Sequence, residues 1–225
     1  MKILIKSWIS GIHLQNHLKL LKYKFLRYKL GITTNSNHNK REFYEKYFQS
    51  VCLFNRIFFK RSVGTGFKNR CCFKEEVYAK GVLVLWSENL KIDSLEILKD
   101  PKIKRIAMAN PKLAPYGKAS MEVLDHLKLT PSLKSKIVYG ASISQAHQFV
   151  ATKNAQIGFG ALSLIDKKDK NLSHFIIDKA LYSPIEQALI TTKNGANNPL
   201  AKVFKDFLFS PKARAIFKEY GYIMD

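Results

Sequence analysis

Acidic residues are scarce in this chain. Across 225 residues, 17 Asp and Glu stand against 38 Lys and Arg, a formal net charge of +21. Cysteine is scarcer still. Cys71 and Cys72 are adjacent and Cys52 stands apart, which gives neither zinc-site nor dithiol-redox spacing and excludes a disulfide-built scaffold. No apolar stretch approaches the roughly 18 residues that a membrane helix requires, and mean hydropathy is −0.16. Eleven glycines and seven prolines exclude collagen-like and low-complexity chains. The GxGxxG, P-loop, HExxH and GxSxG patterns are absent, and with them the commonest nucleotide, zinc-protease and hydrolase signatures. No pair of carboxylates is spaced for acid–base work. His126, His147 and His174 are scattered and read as surface or core histidines. Binding fits this inventory better than catalysis.

What is present is an ordinary globular composition, 46% hydrophobic and 24% charged. A chain of this length forms one large domain or two lobes of about 100 residues each. Its charge is lopsided. Residues 1–74 hold 16 basic residues (11 Lys, 5 Arg) and two acidic ones, Glu42 and Glu45, a net of +14; the other 151 carry 22 basic and 15 acidic, a net of +7. The text therefore divides near Phe73–Val77. Leu14–Leu30 has helical apolar spacing with Lys and Arg between, a basic amphipathic pattern that docks on membranes or RNA. His13 and His17 could share a face of it, without a third metal ligand in view. Thr33–Asn39 reads as loop. At the start, Lys6, Trp8 and His13 interrupt any apolar core of an export signal, so the chain as written is expected to remain in the cytoplasm.

From Val77 onward strands and helices alternate, the mark of an α/β layered sheet. Strands are expected at Val82–Trp86, Ile103–Ala109, Lys136–Tyr139, Gln156–Phe159, Phe175–Ile177 and Gln187–Thr192. Helices are expected at Pro115–Leu129, from Ser144 to Ala151, and at Pro199–Phe209 and Pro211–Tyr220. Gly158-Phe159-Gly160 reads as a strand-end turn. Two helix starts carry chemistry. Pro115 suits the first helical position, where its missing N–H costs nothing, and this sets the N–H groups of Tyr116 and Gly117 at a positive helix end. Ser142 with Gln145 three residues on is a capping-box pattern, which puts the Ile143 N–H in another first turn, with Ser144 beside it. Each helix follows a strand, so both starts fall at one sheet edge, where ligands of α/β folds bind and where helix ends receive anions.

Residues 77–224 resemble the molybdate-binding proteins of ABC importers. The matching text is YAKGVLVLWS (78–87), IAMANPKLAPYGKAS (106–120), VYGASISQAHQFVATKNAQIGFGALS (138–163), YSPIEQALITTK (182–193) and NPLAKVFKDFLFSPKARAIFKEYGY (198–222). The resemblance implies an α/β, type II periplasmic binding protein fold, with the second lobe and C-terminal return recognisable and the first lobe incomplete. It implies three segments: 1–76, an atypical basic segment that is poorly ordered or replaces the first lobe; 77–181, the second α/β lobe; and 182–225, a crossover strand and helices returning to the first lobe. It further implies a solute-binding component that holds molybdate or tungstate by neutral hydrogen-bond donors and delivers it to a membrane permease. By motif, the backbone N–H groups of Tyr116 and Ile143 bind the oxyanion, while Pro115, Ser142 and Ser144 line or cap the pocket. No cofactor and no side-chain metal site are implied, and the expected state is a monomer in the periplasm. In some relatives a tyrosine after the QIGF-type strand touches the anion; Gly160-Ala161-Leu162-Ser163 stands there instead.

The first 76 residues lack the family's opening strand, its Gly-Ser-Ser-Gly turn and its NGAPYDVFFSAD motif. Read one nucleotide later, codons for Cys52–Ser62 can spell Ala-x-x-x-Val-Phe-Phe-Ser-Ser-Asp, so a frameshift is one explanation. With first-lobe donors missing, anion binding is expected to be weak or absent. The C-terminal helices, deprived of first-lobe neighbours, are expected to leave Val203, Phe207 and Ile216 exposed. An alternative reading makes the basic segment a module for nucleic acid or anionic membrane.

Overall fold

The computed structural model describes residues 75–166, 169, 171–191 and 196–224, together with the backbone of 51–55. The amphipathic stretch 14–30, the His13 and His17 pair, the loop at 33–39 and most of the atypical segment 1–76 lie outside the described residues. The described chain forms two compact units, which part at Lys80/Gly81 and again at Ile185/Glu186.

The first unit, Gly81–Ile185, is built on a five-stranded sheet in the order β5-β4-β6-β3-β7. Its strands are β3 (Leu83–Ser87), β4 (Ile106–Ala109), β5 (Ile137–Gly140), β6 (Ile157–Ala161) and β7 (Ser173–Ile176). β4 runs parallel to both β5 and β6, while β3 runs antiparallel to β6 and β7. Continuous apolar runs explain the central strands: every residue of β3, β4 and β6 is buried, as in sheets covered on both faces. The helices are α1 (Pro115–His126), the single turn α2 (Thr130–Leu133) and α3 (Ile143–Ala151). α1 inserts Ala119, Val123 and Leu124 into a core with Leu83, Leu85, Met108, Ile157 and Phe159. α3 buries Ala146 and Val150. On this unit Trp86 is fully buried and stacks on His147, with ring centroids 4.1 Å apart at 18°.

The second unit carries β1 (Val51–Asn55), most of β2 (Glu75–Gly81) and most of β8 (Ile185–Thr191) in the order β1-β8-β2. β1 is antiparallel to β8, from Val51 opposite Thr191 to Asn55 opposite Gln187. Two helices follow, α4 (Pro199–Leu208) and α5 (Pro211–Glu219). Asn198 and Ser210 cap them, each side chain accepting a first-turn N–H. Here a sequence expectation fails. Phe207 and Ile216 are 3% and 7% exposed, and Val203 is partly buried. They pack with Phe204, Leu208 and Phe217 onto Tyr78, Leu189 and Tyr222. The apolar stripe that the sequence shows on these helices finds β2 and β8 within its own unit.

Other differences are local. β2 was not anticipated beyond a change of texture at Val77, because its EEVYAKG text alternates weakly. Gly158-Phe159-Gly160 lies inside β6 rather than in a turn, since α3 packs so closely that a side chain at 158 would meet Val150 at 2.7 Å. The helix from Pro115 ends at His126, and Lys128 beyond it has φ 57°.

Candidate anion site at two helix starts

β4 and β5 are adjacent parallel strands, Ala109 opposite Gly140, and each runs at its carboxyl end into a helix. The two helix starts therefore share one edge of the first unit's sheet. Asn110 joins them. Its N–H donates to Gly140 O at 2.7 Å, which carries the β4–β5 pairing one residue past the strands. Its side-chain Oδ1 accepts the Lys112 N–H at 2.9 Å, and its carbonyl accepts the N–H groups of Leu113 and Ala114 at 3.0 and 2.9 Å. This closes a tight turn that delivers Pro115 to the first position of α1.

Close approach of helix to strand end requires two glycines. A Cβ on Gly117 would lie 2.2 Å from Ala109 O, and one on Gly140 would lie 2.7 Å from Ala146 N. Both clashes are with backbone, which cannot swing aside. The Tyr116 side chain is buried in the unit's core and pins the first turn of α1, with its N–H in that turn. Ser120 Oγ, one turn on, donates back to Tyr116 O at 2.7 Å.

At α3, Ser142 is the cap at φ −142° and ψ 165°, and its Oγ accepts the Gln145 N–H at 3.2 Å. The capping box closes one residue early: Gln145 Oε1 accepts the Ala141 N–H at 2.6 Å instead of that of Ser142. Ile143, the first helical residue, has no carbonyl four residues back within the helix for its N–H. Ser144 Oγ is shut from solvent and has no hydrogen-bond partner among the described residues. Pro115, Ser142, Ile143 and Ser144 are each partly buried. The structure thus brings Pro115, Tyr116, Ser142, Ile143 and Ser144 to one edge. Asn110 and Gln145 are organising residues to which sequence reasoning gave no role or the wrong partner. The Asn-Pro dipeptide at 110–111 is the signal that could have exposed the former.

The phenol of Tyr182, at the same edge, accepts the Leu83 N–H at 3.2 Å. Burial pushes its pKa up; the Leu83 hydrogen bond pulls it down and Asp178 adds an upward push. His126 Nδ1 lies 2.8 Å from Leu181 O, a structural contact. Among the described residues no group of three or more His, Cys, Asp and Glu could hold a metal ion. None of their helices is long and apolar enough to cross a membrane. The arrangement offers neutral donors at two positive helix ends, suited to a small anion.

A profile described as bacterial extracellular solute-binding protein matches residues 71–223. The chain is 47% identical over 149 residues to the molybdate-binding protein ModA of Azotobacter vinelandii, a match covering 64% of this chain and 59% of that protein. It is 40% identical over 149 residues to ModA of Rhodobacter capsulatus, covering 66% and 59% respectively. The chain thus spans under two thirds of the length of these curated relatives. The fold matches the solved periplasmic molybdate-binding protein of Azotobacter vinelandii with a TM-score of 0.77 at 28% identity, over 95% of this chain and 96% of that one. With its α/β periplasmic-binding fold and a profile match over most of its length, the chain belongs to the bacterial extracellular solute-binding protein family.

Proposed function

We propose that this chain is the solute-binding component of an importer for molybdate or tungstate. It takes the oxyanion at the paired starts of α1 and α3. The backbone N–H groups of Tyr116 and Ile143 donate to it, and Pro115, Ser142 and Ser144 shape the surround. The observation that carries this reading is the Asn110 N–H bond to Gly140 O, which holds the two helix starts side by side on one rigid edge. The similarity to the ModA proteins, which are named for molybdate binding, supports it. Neutral donors meet a dianion without a buried counter-charge, and helix dipoles add to the attraction. Solute binding rather than catalysis, action in the periplasm, and delivery to a membrane permease form part of the same reading.

Affinity is reduced in this chain, because its first 76 residues carry none of the family's first-lobe motifs. Losing three donors to a charged ligand removes several kcal/mol, on the order of 1.5–3 each, which is thousands-fold or more in Kd. A thermal-shift series with molybdate, tungstate, sulfate and phosphate tests the ligand class. Molybdate and tungstate should raise the melting temperature as concentration passes Kd, and sulfate should do so less. Equal shifts with all four anions would remove the selectivity from the proposal.

A further inference from the structure

Tyr116 has two ends with different surroundings. Its N–H lies in the first turn of α1, and its side chain runs into the core of the first unit. The far end of that side chain meets Gly81. A Cβ added to Gly81 would lie 2.2 Å from the Tyr116 hydroxyl oxygen, 3.0 Å from its Cζ and 3.4 Å from Ile185 Cγ2. Gly81 and Ile185 are the two residues at which the chain parts from this unit. The phenol therefore rests where the segment begins and where it ends.

Gly81 does not have a positive φ, so its backbone conformation does not call for glycine. What glycine supplies there is room. The backbone around it is held. On one side Lys80 exchanges both hydrogen bonds with Ile223, at 2.8 and 2.9 Å, and on the other Val82 O accepts the Leu162 N–H at 3.0 Å. A methyl group at 81 therefore has to displace the phenol, not the strand. The phenol has little freedom of its own, since Tyr116 is buried among Leu83, Tyr182 and Ile185. The displacement passes along the ring to the Tyr116 backbone. There the turn has no slack either, because Gly117 lies hard against Ala109 O. The first turn of α1 is thus fixed from two sides, by the end of β4 and by Gly81 acting through the phenol.

We infer that Gly81 is a positioning residue for the oxyanion: the space it leaves for the Tyr116 phenol sets where the Tyr116 N–H stands. Gly81 touches no ligand and acts through Tyr116 alone. The inference rests on the reading of that N–H as an anion donor.

The test is a titration of the full chain with sodium molybdate, followed by the amide signals of Tyr116 and Gly117 in nuclear magnetic resonance spectra. These signals report the place of the turn before any anion is added. Gly81→Ala should shift both signals and weaken molybdate binding about tenfold or more, the range for one hydrogen bond to a charged group. Val123→Ala is the control for stability alone. It opens a cavity under the same helix, away from its first turn, so it should lower the melting temperature and leave affinity unchanged. The deciding comparison is a double-mutant cycle. In a Tyr116→Phe background the atom at 2.2 Å is gone, and Cζ at 3.0 Å needs only a small shift. Gly81→Ala should therefore cost much less affinity there than in the parent. If Gly81→Ala does not fold, Tyr116→Leu makes the test from the other side: it keeps the N–H, removes the phenol from Gly81, and should weaken binding to a similar degree. Parent-like affinity with unmoved amide signals in Gly81→Ala, or in Tyr116→Leu where that replaces it, would overturn the inference. So would a loss matched by Val123→Ala, or an equal cost of Gly81→Ala in both backgrounds. Ile143→Pro with the parent's affinity would instead count against the anion reading, and the amide signals would then still decide whether Gly81 sets the turn.

Discussion

Ser142 caps α3 with one hydroxyl, whose Oγ accepts the Gln145 N–H. Ser142→Ala should cost about 1 kcal/mol of stability, read as a lower denaturant midpoint with unchanged slope. An unchanged midpoint would mean that the cap is idle. Gly117 is a sharper case. Its neighbour is the Ala109 carbonyl at 2.2 Å from an added Cβ, so Gly117→Ala must push α1 off the end of β4. Steric changes of this kind cost roughly 1–3 kcal/mol, and the displaced first turn should weaken anion binding along with stability. A variant with parent-like stability and parent-like binding would show that the close approach is not needed.

At the scale of elements, the sequence was legible wherever pattern and punctuation agreed. Pro115, Pro199 and Pro211 each mark the first helical residue, and the run Leu83–Ser87 is a wholly buried strand one residue from its expected place. Legibility failed where a partner distant in sequence decides the outcome. Gln145 is a local exception: it bonds Ala141, only four residues back, instead of Ser142, a choice of cap geometry that the spacing does not reveal. Asn110 reads as an ordinary turn residue until Gly140 appears beside it, and the strand character of Glu75–Gly81 depends on β8. The stripe on α4 and α5 was visible, but its cover was not. Phe207 now serves as a check on that correction. Fully packed against Tyr78, Leu189 and Phe217, its truncation to alanine should cost about 3–5 kcal/mol. Equilibrium unfolding with a loss under about 1 kcal/mol would return α4 to the loosely packed state first expected.

Over the whole molecule, two buried phenols set an alkaline limit. Burial raises the pKa of Tyr78, with Tyr222 adding to it, and burial also raises that of Tyr182. A raised phenol pKa means that the fold retains a proton which the unfolded chain releases. Its contribution is complete below about pH 10 and is lost as pH climbs past the folded value. Stability should therefore fall above about pH 10, and Tyr78→Phe should flatten part of that fall; an identical alkaline profile would contradict the assignment. Charge at this scale is divided as well. At the candidate site edge the proposed donors are uncharged backbone N–H groups, with Lys112 exposed in the adjoining turn, while Lys91, Lys99 and Lys118 pair with acids.

The central claim is that the Ile143 N–H is a ligand to an oxyanion, and one substitution isolates it. Ile143 is the first residue of α3, where proline is tolerated, and Ser142 at φ −142° and ψ 165° already has the extended shape that precedes proline. Ile143→Pro deletes the donor and keeps the helix. Calorimetric titration of parent and variant with molybdate, sulfate as control, is the direct measurement. The account predicts saturable, molybdate-selective binding by the parent and a loss of about 10- to 100-fold in the variant, the range for one hydrogen bond to a charged group. Equal affinities in the two proteins, or parent binding of sulfate as tight as that of molybdate, would contradict it.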